Sequence, residues 1–255
     1  MSEAGQGVAT TYDVISDTLT IAQHRPGYRF GLDSLLLATD LPELAPGDAV
    51  WELGAAQGAV ILSVASRQPE LRAVAVERQA GLLGLLHDNI ARNELSARVE
   101  VLGVDLRTLK PSPHAHAAAL VLCNPPYFRP EARRVSPNQE RAEARAELHG
   151  DVRDFITTAA YLLRPKGWLK LIIPPIRLAD VYAALPTTDL GLVRLRFFHA
   201  REGADAYLVE ILARRARAAD VVVAPPLIIR DATSAFTPEV AARVASAARH
   251  APDAP

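Results

Sequence analysis

The chain predicts a doubly wound α/β fold, a mostly parallel sheet with helices on both faces, and three observations carry that prediction. From Asp48 onward, short apolar runs alternate with longer segments of helical periodicity, which is the pattern of repeated strand–helix–strand units. The first apolar run ends in a glycine-bearing turn, Gly54 to Gly58, that leads into a helix, as turns at the carboxyl edge of such sheets do. Near the end, GLVRLRFFHA and AYLVEILARRA are apolar-alternating runs separated by REGAD, consistent with a closing pair of strands.

Ahead of this core, Val14 to His24 reads as a hairpin or strand and Arg25 to Gly27 as a turn. Asp33 reads as the N-cap of a helix carrying Leu35, Leu36 and Leu37. AVWELG is the first core strand, and AVILSVASR after it is a helix with one apolar face. LRAVAVE and AGLLGLLHDNIARNEL are the second strand and helix, RVEVLGVDL the third strand and AALVLCN the fourth. DVRDFITTAAYLLRPKG reads as a helix with Asp151 at or near its N-cap and Gly167 just past its end, and WLKLIIP is the fifth strand. The expected organisation is an N-terminal extension over residues 1–47, one α/β domain over 48–249 and a frayed tail over 250–255.

Composition supports a globular chain: 49% of the 255 residues are hydrophobic, enough for a full core. With 28 Lys+Arg against 29 Asp+Glu the formal net charge is -1, so any polyanion must be met by a local basic patch. MSEAGQGVATTYD lacks the basic start and apolar stretch of a secretory signal, and no run approaches the ~18 continuous apolar residues of a spanning helix. A soluble cytoplasmic protein with no membrane partner is expected. The single cysteine, Cys123, excludes an intramolecular disulfide and a cysteine-rich zinc site and reads as a buried strand residue. His114 and His116 sit in a Pro/Ala/His loop without nearby carboxylates, which reads as a solvated loop and not a metal site.

Two stretches carry chemistry. In Glu52-Leu53-Gly54-Ala55-Ala56-Gln57-Gly58 the glycines let a ligand approach the backbone between strand and helix. Glu77 ends the second strand, at the spacing from which an acidic side chain binds ribose hydroxyls, and Asp105 ends the third, where it could reach an adenine. Three carboxylates, Glu52, Glu77 and Asp105, suit a cationic, phosphate-free nucleoside better than a pyrophosphate. S-adenosylmethionine is such a molecule. The glycine turn alone also admits an NAD-linked oxidoreductase, or simple turn residues with capping carboxylates.

The second stretch, LVLCNPPYFRP, ends the fourth strand with Asn124-Pro125-Pro126-Tyr127-Phe128. An exocyclic amine or a carboxamide nitrogen is a poor nucleophile because its lone pair is delocalised. The Asn124 side-chain oxygen and the Pro125 carbonyl can each accept one of its N–H groups and draw it toward tetrahedral geometry. Successive prolines fix φ and add no competing N–H. Tyr127, helped by Phe128, supplies a stacking face for a planar substrate, worth about 1–3 kcal/mol. Catalysis then rests on orientation and electrostatics, without metal or covalent intermediate.

NPPY together with ELGAAQG resembles the class I S-adenosylmethionine-dependent methyltransferases acting on amino groups of adenine, guanine or glutamine side chains. LTIAQHRPGYRFGLDSLLLA, NPPYF followed by ARAE at Ala144–Glu147, and APPLIIRDATSAFTPEV are similar to the bacterial tRNA1(Val) adenine-37 N6-methyltransferase family. The resemblance implies a seven-stranded Rossmann-like fold whose last strand is antiparallel, methyl transfer to adenine N6, and a target pocket of Asn124, Pro125 and Tyr127. It places Phe30 and Asp33 near the cofactor cleft. Ala56 stands where that family's loop usually carries glycine; if the position needs positive φ, alanine costs about 1 kcal/mol.

A tRNA substrate needs phosphate contacts. Arg129, Arg133 and Arg134 beyond the target pocket are the expected partners, with Arg141 and Arg145 in the polar stretch, Arg25 and Arg29 in the extension and a cluster at Arg214, Arg215 and Arg217. A single-stranded adenine costs little to extrude. A protein glutamine fits the same Asn-Pro pocket, but relatives of that type carry a helical domain before the core, whereas strand one here begins near Ala49. A non-catalytic RNA-binding protein that keeps the fold is the remaining reading.

Overall fold

The computed structural model describes residues 9–25, 27–126, 151–216 and 220–246. A hairpin of β1 (Ala9–Ser16) and β2 (Leu19–Arg25) leads to α1 (Leu32–Leu37). β3 (Ala49–Leu53), α2 (Ala59–Arg67), β4 (Arg72–Val76), α3 (Ala80–Arg92), β5 (Val99–Leu102) and β6 (Ala118–Cys123) follow, with a 3-10 turn over Leu106–Leu109. After α4 (Val152–Leu162) come β7 (Leu163–Ile173), α5 (Leu178–Ala184), β8 (Leu190–His199) and β9 (Ala206–Arg215). The two-residue strands β10 (Val222–Val223) and β11 (Leu227–Ile228) and helix α6 (Pro238–Ser246) complete the described chain.

The sheet runs β5-β4-β3-β6-β7-β9-β8, with β10 and β11 both on the outer side of β8. β3 to β7 are mutually parallel, and β9 is antiparallel to both β7 and β8. The seven long strands and their antiparallel closing strand are those the sequence predicts. β10 and β11 add to them; Pro225 and Pro226 lie between the two and have no N–H for a ladder, so the edge pairing comes in two fragments.

A sheet covered on both faces needs strands that are apolar throughout, and every residue of β6 is buried. Val121 and Cys123 pack with Trp51, Leu53 and the α4 residues Phe155 and Ile156. Leu120 and Leu122 face the other layer, with Ile61 of α2, Leu86 and Ile90 of α3, and Leu36 of α1. Leu19 and Ile21 of β2 belong to that second layer, so the hairpin is part of the core. No described helix is long and apolar enough to cross a membrane.

Three local expectations need correction. Asp151 does cap α4, in a reciprocal box with Asp154 (3.0 and 3.1 Å), but the helix ends at Leu162 and not near Gly167. Pro165 cannot donate within a helix, and Leu163 already pairs with Ala118 before the register shifts and resumes at Trp168. Gly167 lies in that bulge: a Cβ there would stand 2.9 Å from the Arg164 carbonyl oxygen and 3.1 Å from that of Ala118. Asp33 is inside α1, with Gly31 at the N-cap position, because its carboxylate has a partner elsewhere. β5 ends at Leu102, and Asp105, beyond it, caps the 3-10 turn by accepting the Arg107 N–H at 3.0 Å.

Candidate active site

The loop between β3 and α2 is built on positive φ: Gly54 at 74°, Ala56 at 49° and Gly58 at 92°. Position 56 thus has the conformation that alanine adopts at a cost. The loop is tied to the end of β4. Gly54 and Ala55 N–H groups donate to the Val76 carbonyl at 2.9 Å, and the Ala56 N–H donates to Glu77 Oε2 at 2.8 Å. Glu77 Oε1 takes the N–H groups of Arg78 (2.8 Å) and Gln79 (2.7 Å). Burial pushes the Glu77 carboxyl up, against these bonds.

Gly58 offers α2 no side-chain cap. Glu52 supplies one from the adjoining strand, its Oε2 accepting the Ile61 N–H at 2.9 Å. Such a bond satisfies one of the first-turn donors of a helix and places a carboxyl at its positive end. Burial nevertheless pushes the Glu52 carboxyl well above the usual range, with the Glu77 charge adding to it.

Amide side chains hold the hairpin against this loop. Asn89 of α3 accepts the Ala22 N–H (2.7 Å) and donates to the carbonyls of Ala22 (3.1 Å) and Gln57 (2.9 Å). Gln57 donates to Gln23 Oε1 at 3.1 Å, which also takes the Phe30 N–H at 3.0 Å. Gln23 in turn donates to Asp13. Sequence reasoning missed this set, since a glutamine or asparagine in an amphipathic pattern ordinarily reads as solvent-facing.

Asn124 follows β6 directly. Its Nδ2 donates to Asp33 Oδ2 at 3.0 Å and to Ser34 Oγ at 3.4 Å, which fixes which way the carboxamide faces. Pro125 behind it is buried and Pro126 half-buried. Tyr28, Phe30, Ser34, Glu52, Ala56 and Asn124 share one cleft with the 54–57 backbone. Phe30 lines this cleft, and Asp33 meets Asn124. Ser34 and Tyr28 were not anticipated; Tyr28 had a signal in its place beside Phe30 in PGYRFG. Asp33 also bears on Tyr207 at the start of β9, whose phenol is pushed up by burial first and then by that carboxylate.

Other expected residues are not among the described ones lining this cleft. Asp105 is ion-paired with Arg107 at 2.6 Å and Arg78 at 4.0 Å, and the Arg107 bond holds its carboxyl below the usual range. Arg29 pairs with Asp13 at 2.7 Å. Arg214 lies over the Trp168 ring at 4.6 Å and Arg215 pairs with Asp189 at 2.6 Å; because β9 runs antiparallel, both are at the sheet edge opposite Asn124. Cys123 is buried as expected, its thiol pushed up by burial. The described residues contain no cluster of His, Cys, Asp and Glu suited to a metal. Tyr127, Phe128, Arg129, Arg133, Arg134, Arg141, Arg145 and Arg217 fall outside the described residues.

Among its described lining residues the cleft has one acidic side chain, Glu52, and no lysine or arginine, with Glu77 one hydrogen bond away. That donor set fits S-adenosylmethionine, which carries a sulfonium and no phosphate, and is a poor host for a dinucleotide. The model of the family described as Methyltransferase small domain matches residues 29–177. The tRNA1(Val) (adenine(37)-N6)-methyltransferase of Serratia proteamaculans is 28% identical over 155 residues, 60% of this chain and 58% of that protein. The human MTRF1L release factor glutamine methyltransferase is 29% identical over 178 residues, 62% of this chain and 53% of that one. The chain thus spans less than two thirds of the length of either. A crystal structure of a predicted O-methyltransferase, protein Atu636 from Agrobacterium tumefaciens, superposes with a TM-score of 0.70 at 25% identity, covering 87% of this chain and all of that one. Since the family model spans more than half of the chain, from Arg29 ahead of α1 to Arg177 beyond β7, and takes in the 54–58 loop, Glu77 and Asn124, this protein belongs to the methyltransferase small domain family.

Proposed function

We propose that the chain methylates the exocyclic N6 of an adenine in tRNA, at position 37 of a valine tRNA as in the names of its relatives. The observation that carries this reading is the Asn124 carboxamide, held by Asp33 and Ser34 and followed directly by Pro125 and Pro126.

With Nδ2 committed to α1, Asn124 turns its Oδ1 end toward an incoming amine, and the Pro125 carbonyl is the second acceptor. Two N–H groups of the substrate held this way direct its nitrogen lone pair along one line. Bound S-adenosylmethionine supplies an electrophilic methyl on sulfur. An N–C bond forms as the S–C bond breaks, and the surplus proton leaves the nitrogen for solvent. The protein contributes position and two acceptor oxygens turned toward the developing positive nitrogen. Glu77 takes the ribose, and Glu52, Gly54, Ala56, Gly58 and Phe30 form the rest of the cofactor's surroundings. Tyr127 and Phe128 provide the stacking face and Arg129, Arg133, Arg134 and Arg145 the phosphate contacts. Asp105 serves the adenine end once it exchanges its Arg107 partner.

A second reading has one observation behind it. The human relative is named for a glutamine, and a glutamine carboxamide offers the same pair of N–H groups to Asn124 and Pro125. Transfer of labelled methyl from S-adenosylmethionine to unmodified bulk tRNA, followed by digestion to nucleosides, separates the two. Label in N6-methyladenosine that is lost with Asn124→Ala supports the first reading. Cofactor binding without label in tRNA, together with label in a release-factor peptide, supports the second.

A further inference from the structure

At the amino edge of the sheet, opposite the 54–58 loop and Asn124, lies a second cavity, of about 490 Å³. Trp51 of β3 and His114 in the loop before β6 form its aromatic wall, ring centroids 5.1 Å apart and planes at 64°. Arg72, the first residue of β4, and Arg98, just ahead of β5, bring guanidinium groups to it. Its volume is within the range of small-molecule sites. The mechanism above uses none of these four side chains.

The unusual feature is the hydrogen-bonding state of the wall. Trp51 is only 2% exposed, and its indole Nε1–H meets no acceptor among the described residues. Nε and Nη2 of Arg98 are buried and likewise without an acceptor. Buried donors are nearly always paired, and an unpaired charged one is the more costly kind. Here three such N–H-bearing atoms belong to two side chains lining one cavity, and all three are sealed from water, so a ligand reaches them only by displacing the half-buried Arg98 side chain. The lining carboxylates, Glu70 and Glu100, are exposed, and no ion pair joins either of them to Arg98.

We propose that this cavity binds a small organic oxyanion, a phosphate or carboxylate carried on a body no larger than a mononucleotide. The anion accepts from the Trp51 indole and the Arg98 fork, and Arg72 adds a second positive charge. A guanidinium presents parallel donors that match either oxyanion. Trp51 and His114 supply a flat apolar wall for the rest of the ligand. Glu70 and Glu100 at the mouth repel an extended polyanion, which selects a small molecule over a nucleic-acid backbone.

The chain has two tryptophans, Trp51 and Trp168, so a 1H–15N spectrum carries two indole signals, assigned with Trp168→Phe. Inorganic phosphate, AMP and citrate are titrated separately into the full chain. The expected result is saturable movement of the Trp51 indole signal at millimolar concentration or below, with the Trp168 signal still. A response to phosphate or AMP identifies the phosphate source, and a response to citrate alone identifies the carboxylate. Arg98→Gln abolishes the movement and Arg98→Lys weakens binding at least tenfold, while both variants bind S-adenosylmethionine as the parent does. A Trp51 signal that no probe moves, that moves equally in the Arg98 variants, or that answers only to tRNA overturns the proposal. None of these outcomes depends on methyl transfer.

Discussion

Asp33 Oδ2 accepts the Nδ2–H of Asn124 at 3.0 Å across 91 residues of sequence, and that bond decides which end of the carboxamide faces the cleft. On the proposed function, in which Asn124 receives a substrate amine, an amide with no fixed donor side could present NH2 to that amine, a donor where an acceptor is needed. The carboxylate at position 33 removes that orientation, since it can only accept while ionised.

Asp33→Ala should therefore act on turnover. A hydrogen bond to a charged group contributes about 1.5–3 kcal/mol, so the methyl-transfer rate should fall roughly 10- to 100-fold. S-adenosylmethionine affinity, measured by calorimetry, should change by no more than a few fold. A loss confined to cofactor affinity would place the action of Asp33 on the cofactor and not on Asn124.

Ala56→Gly should stabilise the fold. At φ 49° the alanine side chain costs about 1–2 kcal/mol, and glycine returns part of that gain as unfolded-chain entropy of about 0.4–1 kcal/mol. The net is roughly 0.5–1 kcal/mol, visible as a higher urea midpoint with unchanged slope. An equal or lower midpoint would mean that the surrounding loop relaxes around Ala56 at little cost.

The order of the strands and the place of the loop were legible because burial on two faces leaves a plain trace: apolar runs such as AALVLC between helical stretches. The end of α4 was misread although Pro165 signalled it, because Leu162 and Leu163 continue the helical spacing while Leu163 is already paired with Ala118. Asn124 stood out in the sequence as an amide between a strand and two prolines. Its partner did not, because Asp33 is equally plausible as a cap, and only the fold brings α1 beside the end of β6. Glu52 reads equally as a ligand-facing carboxylate or a helix cap; the structure shows it capping α2 at Ile61, and that choice depends on how α2 sits over β3, which no local pattern encodes. The contacts of Asn89 with Ala22 and Gln57 are hidden for the same reason.

Glu52 gives stability a pH dependence of definite sign. Its folded carboxyl titrates well above the ordinary glutamate value of 4.5, chiefly through burial, so the folded state holds a proton that the unfolded state has released. Stability from this residue is complete below about pH 4.5 and declines as pH rises toward the folded value. Glu52→Gln keeps an acceptor for the Ile61 N–H and has no charge to bury. Variant and parent should therefore unfold alike at pH 4, with the variant the more stable at pH 7. Urea titrations at the two pH values check this, and a difference that shrinks with rising pH would contradict it.

Asn89→Ala should loosen the hairpin and the loop together. It strands the Ala22 N–H and the carbonyls of Ala22 and Gln57 in a buried site. One such loss costs about 1–3 kcal/mol, so a total of about 2–4 kcal/mol is expected, since carbonyls tolerate it better than the N–H. Because Gln57 adjoins Ala56 in the cleft, S-adenosylmethionine affinity should fall with stability. Chemical denaturation and calorimetry on one variant test both; lost stability with intact affinity would uncouple the hairpin from the cleft.

Lys170 of β7 and Glu210 of β9 form a fully buried ion pair at 3.0 Å. Lys170 also donates to the Thr39 carbonyl, while Arg194 reaches Glu210 at 3.0 Å and Asp40 at 3.1 Å. The network joins the segment after α1 to three strands of the sheet, and so bears on where α1 holds Asp33. Removing one member of a buried pair costs about 3–5 kcal/mol, because a charge is left without its partner. Arg194 still answers Glu210, so Lys170→Met should sit at the lower end, about 3 kcal/mol by urea unfolding. Replacing both, Lys170→Met with Glu210→Leu, removes the stranded charge and leaves Arg194 its Asp40 contact. The double variant should therefore be more stable than the single one, by about 1 kcal/mol or more. A double variant worse than Lys170→Met would mean that Glu210 stabilises the fold mainly through Arg194, with Lys170 serving the Thr39 carbonyl.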